Sequence, residues 1–171
     1  MARVLIVTGP DYLGKSWLIN NLDLSDYQVR IRKLETAPNV ERSVRISWAQ
    51  REQKTWGKLG NDTLVVYDRF PYPDEAVYGH MTPTEVKAFE DFLFEGVKGC
   101  FLVVLPSNCE NYVKQLSKSR DKHLAPFAGS IIPGYERFVS YTHYECLELR
   151  VNDVCRQDEL ERTVQWLHTL Q

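Results

Sequence analysis

A chain of 171 residues is long enough for one domain with one hydrophobic core, and 43% hydrophobic with 26% charged residues is typical of a globular protein. The 21 basic and 23 acidic side chains nearly cancel, which argues against strong nonspecific attraction to nucleic acid. The apolar runs are too short to span a bilayer, no signal-like leader is seen, and the four cysteines form no CxxC pair, so we expect a cytoplasmic protein without a membrane segment.

The hydrophobic pattern predicts strands that alternate with helices. The first strand, Arg3–Thr8, is a short apolar run, and a helix is expected from about Lys15. Four more strands are predicted at 27–34, 62–68, 99–105 and 144–151. Helices are expected within 39–59, after Thr82, twice within 108–141 around a looser centre at 120–133, and at 158–170.

This alternation predicts an α/β fold, because parallel strands need crossover connections that are usually helical. We expect one domain over residues 1–171, with a five-stranded parallel sheet, helices on both faces in three layers, and a small lid at about 108–141. The helix after Thr82 carries a capping-box pattern with Glu85.

The segment between the first strand and the first helix matches the phosphate-binding pattern GxxxxGK[ST]. Glycines at its two fixed positions allow backbone geometry closed to other residues, the lysine can reach terminal phosphates, and the serine hydroxyl can bind magnesium. A chance match is expected in roughly one such chain in a hundred or two, and the strand-loop-helix context makes it rarer. The pattern predicts binding of ATP and Mg²⁺ by Gly9, Asp11, Tyr12, Leu13, Gly14, Lys15, Ser16 and Trp17.

The third predicted strand ends in Asp68 followed by Arg69. A carboxylate at a strand end beside a phosphate loop can hold magnesium, and an arginine next to it can neutralise a phosphate. The alternative is a surface ion pair, which contributes little to stability.

Two motifs together resemble a known family. GPDxxGKS at the loop, followed by DRFxxxxxxVYG from Asp68 onward, resembles the thymidylate kinases and related deoxynucleoside kinases, including compact bacteriophage members. Ser119 to Lys122 falls where that family carries an arginine-bearing lid, residues 135–141 resemble the return helix of the lid, and Val151-Asn152-Asp153 resembles the C-terminal pattern. The likeness covers nearly the whole chain.

The resemblance implies a role for each matching residue. Lys15 and Ser16 would bind ATP phosphates and magnesium, and Asp11 would lie near the acceptor phosphate or its metal. Asp68 would complete the magnesium or acceptor site, and Arg69 would bind the acceptor. Phe70 and Tyr78 of the same motif would contact the acceptor, and Arg120 would reach from the lid to stabilise transferred charge.

The chain departs from the family pattern in the loop, in the DRF segment and after the second strand. Tyr12 replaces a usual glycine, Pro73 replaces a usual serine, and no arginine-containing segment matches after the second strand. Trp48 and Arg51, three residues apart on a predicted helix, could stack on a base and hydrogen-bond to it, although Trp48 suits a core position equally well.

The chemistry of the acceptor stays open between two classes. A nucleoside monophosphate is already an anionic nucleophile, whereas a nucleoside hydroxyl benefits from a carboxylate base, for which Glu35 is the candidate. The DRF segment and compact lid favour the monophosphate, with thymidylate or a modified deoxyuridylate as the expected acceptor.

Other functions of a phosphate-binding loop are a nucleotide-dependent switch and action on polynucleotide ends. The near-neutral charge argues against polynucleotide ends, and Arg120 in a lid has no clear task in a switch. The family likeness suggests a homodimer, for which Val86, Phe89 and Phe92 form a candidate apolar stripe.

Overall fold

The computed structural model describes residues 1–33, 42–79 and 81–170. Its five strands form one sheet in the order β2-β3-β1-β4-β5, and every neighbouring pair is parallel. The strands are β1 (Arg3–Thr8), β2 (Gln28–Lys33), β3 (Thr63–Asp68), β4 (Lys98–Pro106) and β5 (Glu145–Val151). The predicted α/β sheet is therefore confirmed, with each strand within one or two residues of its predicted bounds.

Helices connect the strands and cover both faces of the sheet. They are α1 (Lys15–Asn21), α2 (Arg42–Trp56), α3 (Pro71–Tyr78), α4 (Pro83–Leu93), α5 (Cys109–Ser117), α6 (Ala128–Tyr141) and α7 (Gln157–Thr169), with a 3₁₀ helix at Lys122–Phe127. None of the helices in the described ranges is long and apolar enough to cross a bilayer.

Alternating side chains of the central strand β1 point into two separate cores, because successive residues of a strand face opposite sides of the sheet. Val4 and Ile6 join a core with residues of α2, α3 and α4, while Leu5 and Val7 join a core with residues of α1, α5 and α7. Helix α6 contributes side chains to both cores. The predicted three-layer arrangement follows from this alternation.

Helix α3 is the main element that the sequence pattern missed. Two prolines fall within its first turn, at Pro71 and Pro73, where a missing amide hydrogen removes no helical hydrogen bond. The looser centre expected at 120–133 is also largely helical, and α6 continues through Pro133. Burial of Ile132, Tyr135 and Phe138 on α6 accompanies this interruption of the hydrogen-bond ladder.

Helices α3 and α6 pack closely at a glycine. A Cβ atom on Gly134 would lie 2.7 Å from Cγ1 of Val77, well inside normal contact distance. The close approach brings the next residue of α6, Tyr135, against α3, where it takes part in the site described below.

Phe70 lies in an aromatic core beneath the sheet and not in a ligand site. Its ring is 1% exposed and packs on Trp56 and Tyr67, with ring centroids 6.1 and 5.0 Å away. The Tyr67 hydroxyl donates to buried Glu52 at 2.5 Å and accepts from Trp56 Nε1 at 2.8 Å, which satisfies the polar atoms of this core. The expectation that Phe70 contacts the acceptor was wrong, because its side chain turns inward after β3.

The apolar stripe on α4 serves the protein's own core. Val86 is fully buried, and Phe89 stacks on Tyr72 with ring centroids 4.5 Å apart. Thr82 caps the helix in a capping box with Glu85, as predicted. The stripe of Val86, Phe89 and Phe92 was therefore a poor choice of dimer surface, and dimer formation stays a prediction without an assigned face.

Candidate phosphotransfer site

The phosphate loop closes against strand β4. Gly9 and Gly14 have φ angles of 124° and 79°, in the left-handed region that favours glycine. A Cβ atom on Gly9 would lie 2.0 Å from the carbonyl oxygen of Val104, so no other residue fits there. The loop then leads directly into α1, and the first amide groups of a helix have no partner inside it, which suits them to bind phosphate.

Lys15 lies at the centre of the loop with its side chain only 5% exposed. Its ammonium group donates to the carbonyl oxygen of Pro10, so the side chain is folded into the loop. Burial lowers the pKa of Lys15 from 10.5 to about 8, although the negative charge of Asp11 opposes this shift.

Ser16 and Asp68 bring two oxygen ligands together at the foot of the loop. The Ser16 hydroxyl donates to Oδ2 of Asp68 at 2.7 Å, and Asp68 is buried at the end of β3. Magnesium in phosphoryl-transfer sites is usually held by one or two protein oxygens, with phosphates and water completing the octahedron. The pair therefore fits a magnesium ion, and no cluster of three His, Cys, Asp or Glu side chains in the described ranges offers an all-protein metal site.

Arg69 reaches across to the phosphate loop and pairs with Asp11. Its backbone has a φ of 71°, and its amide donates to the carbonyl oxygen of Val7 at 3.2 Å, which turns the chain sharply after β3. Arg69 and Tyr12 are the two non-glycine residues with positive φ in the described ranges. Backbone conformations of this kind concentrate at functional sites, because surrounding structure must hold them.

Asp74 on α3 is a site residue that the sequence reasoning missed. Its Oδ1 accepts from the Tyr135 hydroxyl at 2.6 Å and from Thr8 Oγ1 at 3.4 Å. Burial raises the pKa of Asp74, while the Tyr135 hydrogen bond and the charges of Lys15 and Arg69 oppose the shift. Predicting a helix from Pro71 would have identified Asp74 as a site residue, because Asp74 and Tyr78, four residues apart, lie on one face of such a helix.

Tyr78, for which acceptor binding stays a prediction, lies near this carboxylate. Its ring is 56% exposed, and its hydroxyl group hydrogen-bonds to Tyr135. Partial burial, together with the carboxylates of Asp74 and Asp11, raises the pKa of Tyr78 to about 12. The phenol therefore stays neutral at physiological pH and can both donate and accept a hydrogen bond.

Arg120 lies in the segment predicted to form a lid, two residues before the 3₁₀ helix Lys122–Phe127. Its side chain is 89% exposed, and its Nε lies 3.7 Å from Oδ2 of Asp121. The Tyr12 hydroxyl, in the phosphate loop, donates to the same Asp121 carboxylate. The predicted lid arginine is therefore next to the loop, although it is not folded into it.

Several residues expected in the site lie elsewhere or serve through their backbone. Leu13 is buried in the core, and its carbonyl oxygen accepts from the Cys155 amide at 2.9 Å, which fastens the loop to the segment before α7. Trp17 is 42% exposed on α1. Trp48 is half-buried on α2 and Arg51 on the same helix is exposed.

The two expected base-reading residues, Trp48 and Arg51, lie on α2 without a contact to the phosphate loop in the part of the chain that the structure describes. No hydrogen bond, ion pair or ring contact among the described residues joins Trp48 or Arg51 to the phosphate loop. Glu35, the candidate base for a nucleoside hydroxyl, lies outside the described residues.

Comparison with known proteins gives a structural likeness. No protein-family model matches the chain, and a search of curated proteins finds no match. Among solved structures, the YorR protein of Bacillus subtilis, in complex with phosphorylated GDP, is 19% identical with a TM-score of 0.64, covering 98% of this chain and 96% of that one. Polyphosphate kinase 2 of Arthrobacter aurescens is 18% identical with a TM-score of 0.66, covering 99% of this chain and 69% of that one.

The chain shares their fold. The two superpositions cover 98% and 99% of this chain, which includes the whole five-stranded parallel sheet and the helices on both of its faces. At such low identity the likeness establishes the architecture, and the chemistry has to be argued from the side chains in the site.

Proposed function

We propose that this protein is an ATP- and magnesium-dependent phosphotransferase that phosphorylates a deoxynucleoside monophosphate, thymidylate or a modified deoxyuridylate, to the diphosphate. The observation that carries the proposal is the loop itself: a complete GxxxxGKS motif with buried Lys15 at its centre and Ser16 hydrogen-bonded to Asp68. The solved structure of YorR, which shares the fold, contains phosphorylated GDP, and this supports a nucleotide ligand.

The donor side of the proposed site is the phosphate loop. The loop amides and Lys15 would bind the β- and γ-phosphates of ATP. Ser16 and Asp68 would hold magnesium, which supplies charge neutralisation for the phosphate oxygens when it is bound. Lys15 would exchange its hydrogen bond to the Pro10 carbonyl for phosphate oxygens, and a phosphate charge would favour its protonated form.

The acceptor side is proposed at the end of β3 and the start of α3. Arg69 would bind the acceptor phosphate after giving up its pairing with Asp11, since a dianionic phosphate is a stronger partner for guanidinium than a single carboxylate. An acceptor monophosphate is already nucleophilic and needs positioning and neutralisation, which Arg69 and the lid arginine Arg120 can provide.

Phosphorylation of a deoxynucleoside is the second candidate, and one observation favours it. Asp74 is a carboxylate of raised pKa near Lys15 and Arg69, and a group of this kind could accept a proton from a nucleoside 5′ hydroxyl. Glu35 remains the other candidate for such a base. We rank this reaction second, because the cations at the site suit an acceptor that is already charged.

An acceptor panel tests the proposal directly. The protein would be incubated with ATP and magnesium and each common nucleoside or nucleoside monophosphate, and products would be separated by anion-exchange chromatography. We expect a diphosphate from thymidylate or a deoxyuridylate. Formation of monophosphates from nucleosides alone would support the second candidate, and ATP binding without turnover of any acceptor would contradict both.

Two substitutions separate the acceptors by mechanism. With a monophosphate acceptor, Arg69→Ala should remove most activity, because an acceptor anion is left unneutralised, while Glu35→Gln should have little effect. With a nucleoside acceptor, loss of its base should lower kcat by roughly 10²- to 10⁴-fold. Steady-state kinetics of both variants would distinguish the cases, with Arg162→Ala, an exposed position on α7, as the control for arginine loss.

We further propose that the protein works in the reducing cytoplasm. All four cysteines are free thiols in the structure, and two of them, Cys100 and Cys155, are buried. Burial raises the pKa of Cys100 to about 12, which makes it an inert core residue. A thiol titration of the unfolded protein purified without reductant should find four thiols, and a lower count would contradict this setting.

A further inference from the structure

We propose that Tyr12 is a positioning residue that ties the phosphate loop to the start of the lid and so sets where Arg120 stands relative to the nucleotide. The inference rests on the proposed phosphotransfer function for its kinetic consequence. The tie between loop and lid is itself a structural claim that can be tested without turnover.

The first observation is the backbone of Tyr12. Its φ of 63° lies in the left-handed region, which is unfavourable for a residue with a Cβ atom and natural for glycine. Within the same loop, the two other residues with positive φ are Gly9 and Gly14. A tyrosine in this conformation carries a backbone strain that glycine avoids, and contacts of its side chain must offset that cost.

The second observation is the partner of that side chain. The Tyr12 hydroxyl donates to Oδ2 of Asp121, which lies 109 residues further along the chain. Asp121 is partly buried, so this hydrogen bond to a carboxylate is shielded from part of the competing water. The bond links the loop to the residue from which the 3₁₀ helix Lys122–Phe127 begins.

The third observation is what Asp121 does not do. It occupies the N-cap position of the 3₁₀ helix, where aspartate usually accepts from the backbone of its own helix, yet its side chain makes no capping hydrogen bond. Separately, the backbone amide of Asp121 donates to Ser119 Oγ at 3.1 Å, which fixes the turn before the helix. The carboxylate is therefore directed at Tyr12 and away from its own helix.

Arg120 stands next to both members of this pair. Its Nε lies 3.7 Å from the Asp121 carboxylate, and its guanidinium group is within electrostatic range of the Tyr12 hydroxyl. The side chain is otherwise 89% exposed and can rotate. Because Tyr12 and Asp121 tie the start of the lid to the loop, the position of Arg120 relative to a bound phosphate depends on this tie.

The kinetic consequence follows from when the arginine acts. A lid arginine that contacts the transferred phosphoryl group contributes mainly in the closed state, so its misplacement lowers kcat more than it raises KM for ATP. Tyr12→Phe keeps the ring and the backbone strain and removes the hydroxyl. We expect kcat to fall by about tenfold, as for loss of one hydrogen bond to a charged group, with KM for ATP changed little.

Hydrogen exchange tests the tie without any substrate. The nucleotide-free wild type would be compared with Tyr12→Phe by mass spectrometry of peptides that cover residues 119–127. Tyr27→Phe is the matched control, since the Tyr27 hydroxyl also accepts a long-range hydrogen bond, from Arg3 at 3.4 Å. We expect faster exchange of the lid peptides in Tyr12→Phe and no change in Tyr27→Phe. Unchanged lid exchange in Tyr12→Phe would overturn the proposal.

A double-mutant cycle tests whether Tyr12 acts through Arg120. Tyr12→Phe should lower kcat in the wild-type background and have no further effect in Arg120→Ala. Asp121→Asn, which keeps an acceptor oxygen, should retain more activity than Asp121→Ala. Additive effects of Tyr12→Phe and Arg120→Ala would refute positioning through the arginine. If the wild type phosphorylates no acceptor, the proposed function fails, and hydrogen exchange alone decides whether the tie exists.

Discussion

Two carboxylates that accept hydrogen bonds from tyrosine hydroxyls lie toward opposite ends of the sheet, and different charges surround them. Asp74 accepts from Tyr135 near the carboxyl end of β1, and Glu90 on α4 accepts from Tyr72 near the amino end of β5. Burial raises the pKa of both carboxyl groups. Each carboxylate with its tyrosine forms one carboxylate unit, and the fold contains two such units.

The charges around the two units differ. Asp74 lies within electrostatic range of Lys15 and Arg69, where phosphate groups are expected. Glu90 contacts His143, whose Nδ1 is 3.0 Å from its Oε2 and whose Nε2 is 2.7 Å from Oδ1 of Asp91. At the carboxyl ends of parallel strands, loops and helix N-termini gather binding groups, whereas the opposite end connects helices to strands. We expect substitutions at the first unit to change activity and substitutions at the second to change stability.

The largest effect is expected from Lys15→Met. Methionine retains most of the buried volume of the side chain and removes the charge that would bind phosphate, so we expect activity to fall by roughly 10²- to 10³-fold or more. The fold should persist, because burial makes the protonated form of Lys15 less favourable in the folded protein than in water. Methionine therefore removes a charge that the folded state stabilises poorly. Steady-state kinetics and thermal unfolding would be measured together, with exposed Lys114→Met as control. Near-normal activity in the folded variant would refute the ATP site.

A smaller, pH-dependent effect is expected from Asp74→Asn. The negative charge of Asp74 raises the pKa of Lys15, so its removal should lower that pKa further below its value of about 8. The alkaline limb of the kcat/KM profile, which reports on the free enzyme, should move to lower pH. Asparagine keeps an oxygen that can accept from Tyr135, which limits structural damage.

The control for Asp74→Asn is Asp158→Asn, an exposed carboxylate on α7. Its pH profile should match the wild type. If the alkaline limb of Asp74→Asn coincides with that of the wild type, Asp74 does not act on the charge state of Lys15, and the two carboxylate units would differ less than the structure indicates.

The smallest effect on activity is expected from Glu90→Gln, which should change stability instead. Because the folded-state pKa of Glu90 is raised, the folded protein binds a proton at Glu90 more tightly than the unfolded chain does. Ionisation of Glu90 therefore lowers the free energy of unfolding of the wild type as pH rises above 4.5. Relative to the wild type, Glu90→Gln should therefore gain free energy of unfolding as pH rises toward neutral. Urea denaturation across this range would measure the difference.

Kinetic measurements at neutral pH complete that comparison. Turnover by Glu90→Gln should match the wild type, because His143 and Asp91 lie at the end of the sheet away from the phosphate loop. A large loss of turnover without loss of stability would show that the two carboxylate units are coupled through α3, where Tyr72 and Asp74 are two residues apart.

The sequence by itself determined the elements whose signals are contiguous. The phosphate loop from Gly9 to Ser16, the strands beside it and the capping box at Thr82 were all predicted, because each depends on residues a few positions apart. Asp68 was placed correctly at the end of β3 for the same reason. Alternation of strands with helices was enough to give the parallel sheet and its two covered faces.

Only the tertiary structure decided which distant side chains meet. Asp74 and Tyr135 are 61 residues apart and meet because Gly134 allows α3 and α6 to approach closely, and Tyr12 meets Asp121 across 109 residues. The sequence pattern also could not tell that Phe70 turns into the core. Periodicity reports which residues face a common side of one element, whereas packing between elements, through close contact and burial, sets the partners and charges that each side chain finally has.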